Sequence, residues 1–188
     1  MRLSQPRIPP LAVADLDADQ REALATVMRE GRAPLNIFAT LAHAPKALTR
    51  FLQWGDYVLS RRNSLPARER EIVILRVGFL CRSGYEFTQH TRIGLNEGLS
   101  PGEIVRIKAG ADAGWSAADA ALIRAADELV GTHFVSDATW AELARHFDEK
   151  QRMDVVFTVG QYTQVSMFLN TFGVQLDAGQ TLDPDLRA

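Results

Sequence analysis

The chain has 188 residues, a formal net charge of −2 and a single cysteine, Cys81. Acidic and basic residues are interleaved, which argues against a surface for nucleic acid or anionic membranes, and one cysteine excludes an intrachain disulfide. No apolar run approaches the roughly 20 residues of a membrane span, and the N-terminal segment lacks the apolar core of a signal peptide. We therefore expect a cytoplasmic protein with one folded domain.

The two ends of the chain have a different composition from the middle. Residues 1–16 contain three prolines and predict an extended arm that lies on the body or on a neighbouring subunit. Residues 177–188 contain glycine, proline and several acids, and predict a second arm. The folded domain is expected to span residues 17–176.

Helix start signals recur at short intervals between these arms. In the first half of the chain they predict helices that begin near Asp17, Pro34, Pro45 and Pro66. The first of these helices is expected to end near Gly31, and the fourth near Cys81.

The second half carries serine and aspartate residues in N-cap positions. They predict helix starts at Ser83, Ser100, Ser116, Ser136 and Asp148. Ser83 and Ser100 are each followed three residues later by glutamate, which is the spacing of a capping box.

The last segment, residues 155–174, is rich in valine, threonine and aromatic residues, but its length and lack of turn residues favour a buried helix over a strand. A helix that is apolar nearly all round needs cover on most sides, so we expect a homo-oligomer. The pattern as a whole predicts an all-α bundle of about seven to nine helices.

Glu86 and His90 are the residues most suggestive of chemistry. They are four positions apart and therefore share one helix face, where a carboxylate can orient an imidazole for acid–base work. Glu71 lies on the preceding helix. In an ideal hairpin His90 would lie beside about Val77, which leaves Glu71 roughly 9 Å further along the axis at 1.5 Å per residue.

A purely structural interpretation explains part of this pattern. Glu86 can be the distal member of a capping box with Ser83, and its pairing with His90 can be an ordinary surface contact. Glu71 lies in a charged stretch, and the nearby cluster of Arg61, Arg62, Arg68 and Arg70 is expected to be a solvated face.

The run from Glu71-Ile-Val-Ile-Leu-Arg76 to Tyr85-Glu86-Phe87 and His90 resembles the signature of the carboxymuconolactone decarboxylase family, whose relatives include the AhpD-like alkylhydroperoxidases. Weaker likeness extends over most of residues 30–173. The resemblance implies an AhpD-like helical bundle and a homo-oligomer, a trimer or hexamer.

The AhpD-like branch has a Cys-x-x-Cys before the histidine and a glutamate twelve residues before the first cysteine. In that frame the cysteine positions hold Ser83 and Glu86, and the glutamate is Glu71. Cys81 lies two residues too early and is expected to be an inert core residue. A dithiol peroxidase needs two thiols, so we reject that activity for this chain.

The resemblance then implies the decarboxylase branch, with an expected role in aromatic compound catabolism. We expect a lyase or related enzyme that needs no metal or cofactor and acts by decarboxylation or proton transfer on a small carboxylated, lactone-like substrate. His90 is the expected proton donor, Glu86 its orienting partner and Glu71 a second acid–base group. The expected substrate-binding residues are Tyr85, Arg76 and Ser83, although Arg76 also suits pairing with nearby acids.

The competing hypothesis is a non-catalytic oligomeric binding protein that keeps the same fold. His43 is expected to be a capping or surface residue, and His133 and His146 have no pattern of a metal site. The polar residues Tyr162, Gln164 and Asn170 in the apolar last helix line a pocket or meet at an interface; the sequence favours neither.

Overall fold

The structure, a computed structural model, describes residues 2–28 and 33–187. Within these ranges it contains α-helices and two short 3-10 helices, and no strand, so the predicted all-α class is confirmed. The nine α-helices of the described residues are α1 Ala18–Leu24, α2 Asn36–Leu41, α3 Pro45–Leu59, α4 Ala67–Leu80, α5 Gly84–Asn96, α6 Pro101–Ala109, α7 Ala117–Thr132, α8 Asp137–Ala144 and α9 Glu149–Phe172.

Most of the predicted helix starts are confirmed by side-chain caps. In each case the cap side chain accepts a hydrogen bond from the backbone amide three residues later, and the capping residues are Asp17, Ser100, Ser116, Ser136 and Asp148. These bonds satisfy amides that have no partner within the helix.

Two boundaries differ from the prediction. α1 ends at Leu24 rather than near Gly31, and Gly31 itself lies outside the described residues. α2 begins at Asn36 rather than at Pro34, because its first amide is capped by a distant side chain, that of Asp177, at 2.8 Å.

α4 is the central helix of the bundle and packs against α5, α6, α7 and α9. Every residue from Arg70 to Gly78 is buried, so this helix presents no solvent-exposed stripe over more than two turns. A helix surrounded in this way does not need an amphipathic pattern, since all its faces are covered by other helices.

The segment 155–174 is helical as predicted, and α9 continues to Phe172, where Gly173 ends it in a left-handed conformation with φ +71°. A side chain at Gly173 would also meet the carbonyl oxygen of Gln5 at 2.8 Å. The position therefore requires glycine both for its backbone conformation and for the approach of the N-terminal arm.

Both chain ends lie along the body of the bundle. The N-terminal arm bonds to the end of α9 through the amide of Arg7 and to α2 through the amide of Leu11. The C-terminal segment is tied to α6 by Lys108, whose ammonium lies 2.9 Å from Asp183 and 2.6 Å from Asp185. None of the helices in the described part of the chain is long and apolar enough to cross a membrane.

Candidate active site

The hairpin between α4 and α5 brings the candidate site residues together. α4 ends in a Schellman motif in which the amide of Ser83 donates to the carbonyl of Gly78 at 2.8 Å, and Arg82 adopts the left-handed conformation with φ 53°. Gly78 lets the helices approach closely, because a Cβ atom there would lie 3.3 Å from Cγ of Glu86.

The register of this hairpin places Glu71 closer to the histidine than predicted. A Cβ atom at Gly94 of α5 would lie 3.6 Å from Cβ of Glu71. Together with the contact at Gly78, this puts His90 opposite about Leu75 rather than Val77. The side chains of Glu71 and His90 then span the remaining distance.

Glu71, His90 and Glu86 form one buried row. Nδ1 of His90 lies 2.7 Å from Oε2 of Glu71, and Nε2 lies 3.1 Å from Oε1 of Glu86. The three residues are 1%, 6% and 3% exposed, respectively. Glu71 and Glu86 therefore lie at the two ends of the row, and the imidazole lies between their carboxyl groups.

The roles of the two glutamates differ from the expectation. We expected Glu86 to orient His90, but the hydrogen bond to the ring is made by Glu71, which fixes Nδ1 as the donor. Glu86 is close to Nε2 without hydrogen-bond geometry, so its Oε1 has no partner among the described residues. The reason is that Glu86 is held on the same helix as the ring, whereas Glu71 faces it from α4.

The capping box predicted for Ser83 and Glu86 is wrong. Ser83 occupies the N-cap position, but its side chain makes no capping bond and its buried hydroxyl has no partner among the described residues. The backbone of Ser83 is committed to ending α4, and Glu86 turns toward the histidine instead. Glu86 therefore does not take part in capping the start of α5.

Burial governs the electrostatics of this row. Burial raises the pKa of Glu86 to about 7, although the charge of His90 opposes the shift and Glu71 adds to it. For His90, burial disfavours the charged form, but the two carboxylates outweigh it and raise the pKa above the ordinary value. The protonation states of Glu86 and the imidazole are therefore coupled, because each charge changes the pKa of the other group.

Glu86 and His90 open onto a cavity of about 750 Å³ between α1, α2, α3, α5 and α9. Its inner end is polar, and Tyr162 packs edge-on against the imidazole with 4.9 Å between ring centroids. Most of its walls are apolar and include Ile37, Phe38, Phe51, Leu52, Ile93 and Val165. Glu71 does not line this cavity and touches it only through His90.

The sequence left the role of one cavity residue, Tyr162, undecided and did not point to another, Gln161. Tyr162 was one of three polar residues in α9, and the structure places it in the cavity. Asn170 instead donates to the carbonyl of Cys81, and Gln164 is exposed. Gln161 also lines the cavity and was missed; its polarity within an apolar helix was the available signal.

The three residues expected to bind substrate lie in three different environments. Tyr85 lines the cavity, and its hydroxyl donates to Asp177 at 2.6 Å. Arg76 does not reach the cavity: its guanidinium pairs with Asp127 and donates to the carbonyl of Ile107, because it leaves α4 on another side. Ser83 is fully buried away from the cavity lining.

The basic cluster is not a uniformly solvated face, contrary to expectation. Arg61 and Arg62 are exposed, but Arg68 pairs with Glu103 and Asp119, and Arg70 is only 8% exposed.

Cys81 is half-buried at the C-cap of α4 and packs against the main core. Burial raises the pKa of its thiol, and the residue does not line the cavity. A thiol in this state is a poor nucleophile.

The other histidines lie away from the site. His43 bonds to the carbonyl of Pro9 at 3.0 Å, and His146 pairs with Glu142. His133 ends α7 in a left-handed conformation. Among the described residues, no group of three or more His, Cys, Asp or Glu side chains is placed to hold a metal ion.

The fold is that of the AhpD-like helical proteins. An uncharacterised peroxidase-related protein with the alkylhydroperoxidase AhpD core from Ralstonia eutropha JMP134 superposes with a TM-score of 0.78 at 21% identity, covering 93% of this chain and 95% of that one. A peroxidase-related protein from Silicibacter sp. TM1040 gives 0.77 at 12% identity over 95% and 96%. The debrominase Bmp8, as a cysteine-to-alanine variant with 2,3,4-tribromopyrrole, gives 0.72 at 14% identity over 93% and 94%.

The carboxymuconolactone decarboxylase family model matches residues 45–128, a stretch that contains the whole Glu71–His90–Glu86 row. The predicted resemblance to this family is therefore supported over residues 45–128, and the chain shares its fold with the AhpD-like proteins. No curated protein matches the sequence significantly.

Proposed function

We propose that this protein is an acid–base enzyme that needs no cofactor and acts by decarboxylation or proton transfer on a small carboxylated, lactone-like substrate. The observation that carries the proposal is the buried row of Glu71, His90 and Glu86, which ends in an apolar cavity. Loss of carbon dioxide from such a substrate leaves electrons delocalised into a carbonyl group, and a proton must then be delivered to carbon.

The row supports this chemistry through a division of roles. Glu71 holds the ring with Nδ1 as donor, so Nε2 is the nitrogen that exchanges a proton on the cavity side. Glu86 lies at the cavity wall with a pKa of about 7, close to the value that suits a general acid or base at neutral pH. Glu71 and His90 are then positioning and relay groups for a proton that Glu86 or Nε2 exchanges with the substrate.

The thiol-based alternative has little support. A peroxidase of the AhpD type would need a reactive thiol at the cavity, and Cys81 is outside it with a raised pKa. The non-catalytic binding protein remains the competing hypothesis, since an apolar cavity also suits a carrier. The expected homo-oligomer, a trimer or hexamer, and a cytoplasmic location complete the proposal; the solvent face of α9 carries Met153, Val156 and Met167 and favours self-association.

The test is turnover of a panel of carboxylated unsaturated lactones in D₂O, followed by carbon dioxide release and by deuterium incorporation at carbon. His90→Ala and Glu86→Gln should each lower kcat at least about 100-fold, because the proton-transfer groups are lost. Glu97→Gln makes the same chemical change at the exposed C-cap position that follows α5 and should retain activity.

The pH dependence provides a second readout of the same proposal. If Glu86 is the acid, kcat/KM should decrease above a pH of about 7 as the carboxyl group loses its proton. Full activity of both the His90→Ala and the Glu86→Gln variant would contradict the proposal. If the wild type binds lactones but turns over none of them, the non-catalytic binding protein is favoured instead.

A further inference from the structure

Two buried acceptor atoms on residues that line the cavity have no hydrogen-bond partner among the described residues. They are Oε1 of Glu86 on α5 and Oε1 of Gln161 on α9. Both side chains line the cavity, and the residues are only 3% and 5% exposed. An unpaired buried acceptor is destabilising, so two of them in the lining of one cavity favour a ligand that brings a hydrogen-bond donor.

The surrounding groups do not supply that donor. Nε2 of His90 is 3.1 Å from Oε1 of Glu86 but lies outside hydrogen-bond geometry, and its other nitrogen is taken by Glu71. The hydroxyl of Tyr85 is engaged by Asp177. The hydroxyl of Tyr162 also lines the cavity but bonds to neither acceptor.

The same end of the cavity is unfavourable for an anion. The carboxyl groups of Glu71 and Glu86 flank the single imidazole, so an anionic group placed there would meet two acids and one base. Arg92, Glu22 and Asp56 line the exposed part of the cavity, where water can solvate a charged substituent and screen it from the two acids.

We infer that the part of the substrate that reaches the inner end is uncharged and donates a hydrogen bond, through a hydroxyl or a ring N–H, to Glu86 and Gln161. This inference rests on the proposed function and adds a substrate class to it: a small, mostly apolar ring compound whose hydroxyl, enol or N–H points inward and whose carboxylate stays at the rim. An enol hydroxyl next to a carbonyl satisfies both requirements, because it is a donor and is related to its ketone by a single proton transfer.

The experiment compares three ring compounds of one shape by calorimetric titration. They are 2-naphthol, 2-methoxynaphthalene and 2-naphthoate, which present a donor, an acceptor without a donor, and an anion. The naphthol should bind at least about tenfold more tightly than the ether, which corresponds to 1.4 kcal/mol. The naphthoate has no donor and can place its carboxylate only at the rim, so it should bind no more tightly than the ether. Equal binding of naphthol and ether, or tightest binding of naphthoate, would overturn the inference.

Variants assign the preference to the acceptor pair. Gln161→Leu should reduce the preference for naphthol, whereas Gln164→Leu, an exposed change on the same helix, should keep it. Thermal melts verify that each variant is folded. A folded Gln161→Leu variant and a folded Glu86→Leu variant that both keep the full preference would contradict the assignment.

Glu86→Gln separates this inference from the proposed function. The amide keeps an acceptor oxygen, so the naphthol preference should survive while turnover is lost. A donor preference in a protein that turns over no lactone would leave the inference standing and remove the lyase. Turnover that depends on His90 without any donor preference would leave the proposed lyase standing and remove the inference.

Discussion

Glu86 is a carboxyl group that the fold keeps away from water, and this makes stability depend on pH. Burial raises its pKa from 4.5 to about 7, so the folded protein holds the proton more tightly than the unfolded chain does. Stability is therefore lost as the pH rises through this interval and is constant above it. The raised pKa of His90 acts in the same direction, since its contribution is lost as the pH passes the folded value.

Removing the charge of Glu86 should therefore stabilise the protein only at high pH. Relative to the wild type, Glu86→Gln should gain about 2–3 kcal/mol in the free energy of unfolding between pH 5 and pH 8, at 1.4 kcal/mol per unit of pKa. Urea denaturation at both pH values measures this difference. The exposed Glu97→Gln variant should show no such trend, and a flat difference for Glu86→Gln would mean that the carboxyl group titrates normally.

At the scale of elements, the hairpin of α4 and α5 decides the site. The end of α4 uses the backbone of Ser83, and the start of α5 receives no side-chain cap, although the sequence pattern is that of a capping box. α6 begins with the same pattern, and there Ser100 and Glu103 do form the box. The two helix starts are therefore a natural comparison of one motif in two settings.

Alanine substitutions should distinguish these settings. Ser100→Ala should lower the free energy of unfolding by about 0.5–2 kcal/mol, because a capping bond is lost. Ser83→Ala should have no effect or should stabilise, because its buried hydroxyl has no partner among the described residues and loses nothing. Chemical denaturation measures the free energy of unfolding of both variants. An equal loss in the two would indicate that the side chain of Ser83 does cap α5.

At the scale of the whole molecule, Asp177 connects distant parts of the chain. Its carboxylate accepts hydrogen bonds from Tyr85 and Gln89 of α5, each at 2.6 Å, and from the amide of Asn36 at 2.8 Å. Tyr85 and Gln89 both line the cavity. The C-terminal segment thus positions one wall of the site, although it lies far from α5 in sequence.

Asp177→Ala should destabilise the protein by about 2–4 kcal/mol, since it removes three hydrogen bonds and leaves the buried hydroxyl of Tyr85 without an acceptor. Asp185→Ala is the matched control, because Asp185 is also in the C-terminal segment but its side chain is 62% exposed. We expect a loss below about 1 kcal/mol there. Urea denaturation measures the free energy of unfolding of the two variants. Similar losses would show that the hydrogen bonds of Asp177 stabilise the fold no more than the exposed ion pair of Asp185 does.

The sequence by itself determined the helices and much of their capping. The caps at Asp17, Ser100 and Asp148 were predictable because a side chain within three residues satisfies each helix start, which is a local interaction. The spacing of Glu86 and His90 likewise placed both on one helix face.

Only the tertiary structure decided how those groups are used. The choice of Glu71 as the partner of His90, the turn of Arg76 toward Asp127 and the entry of Gln161 into the cavity all depend on contacts between helices far apart in the chain. Such contacts are set by the hairpin register and by close approach at Gly78 and Gly94, where less than one helical turn changes which side chains meet. Local patterns carry no information on that register, because it follows from packing of the whole bundle.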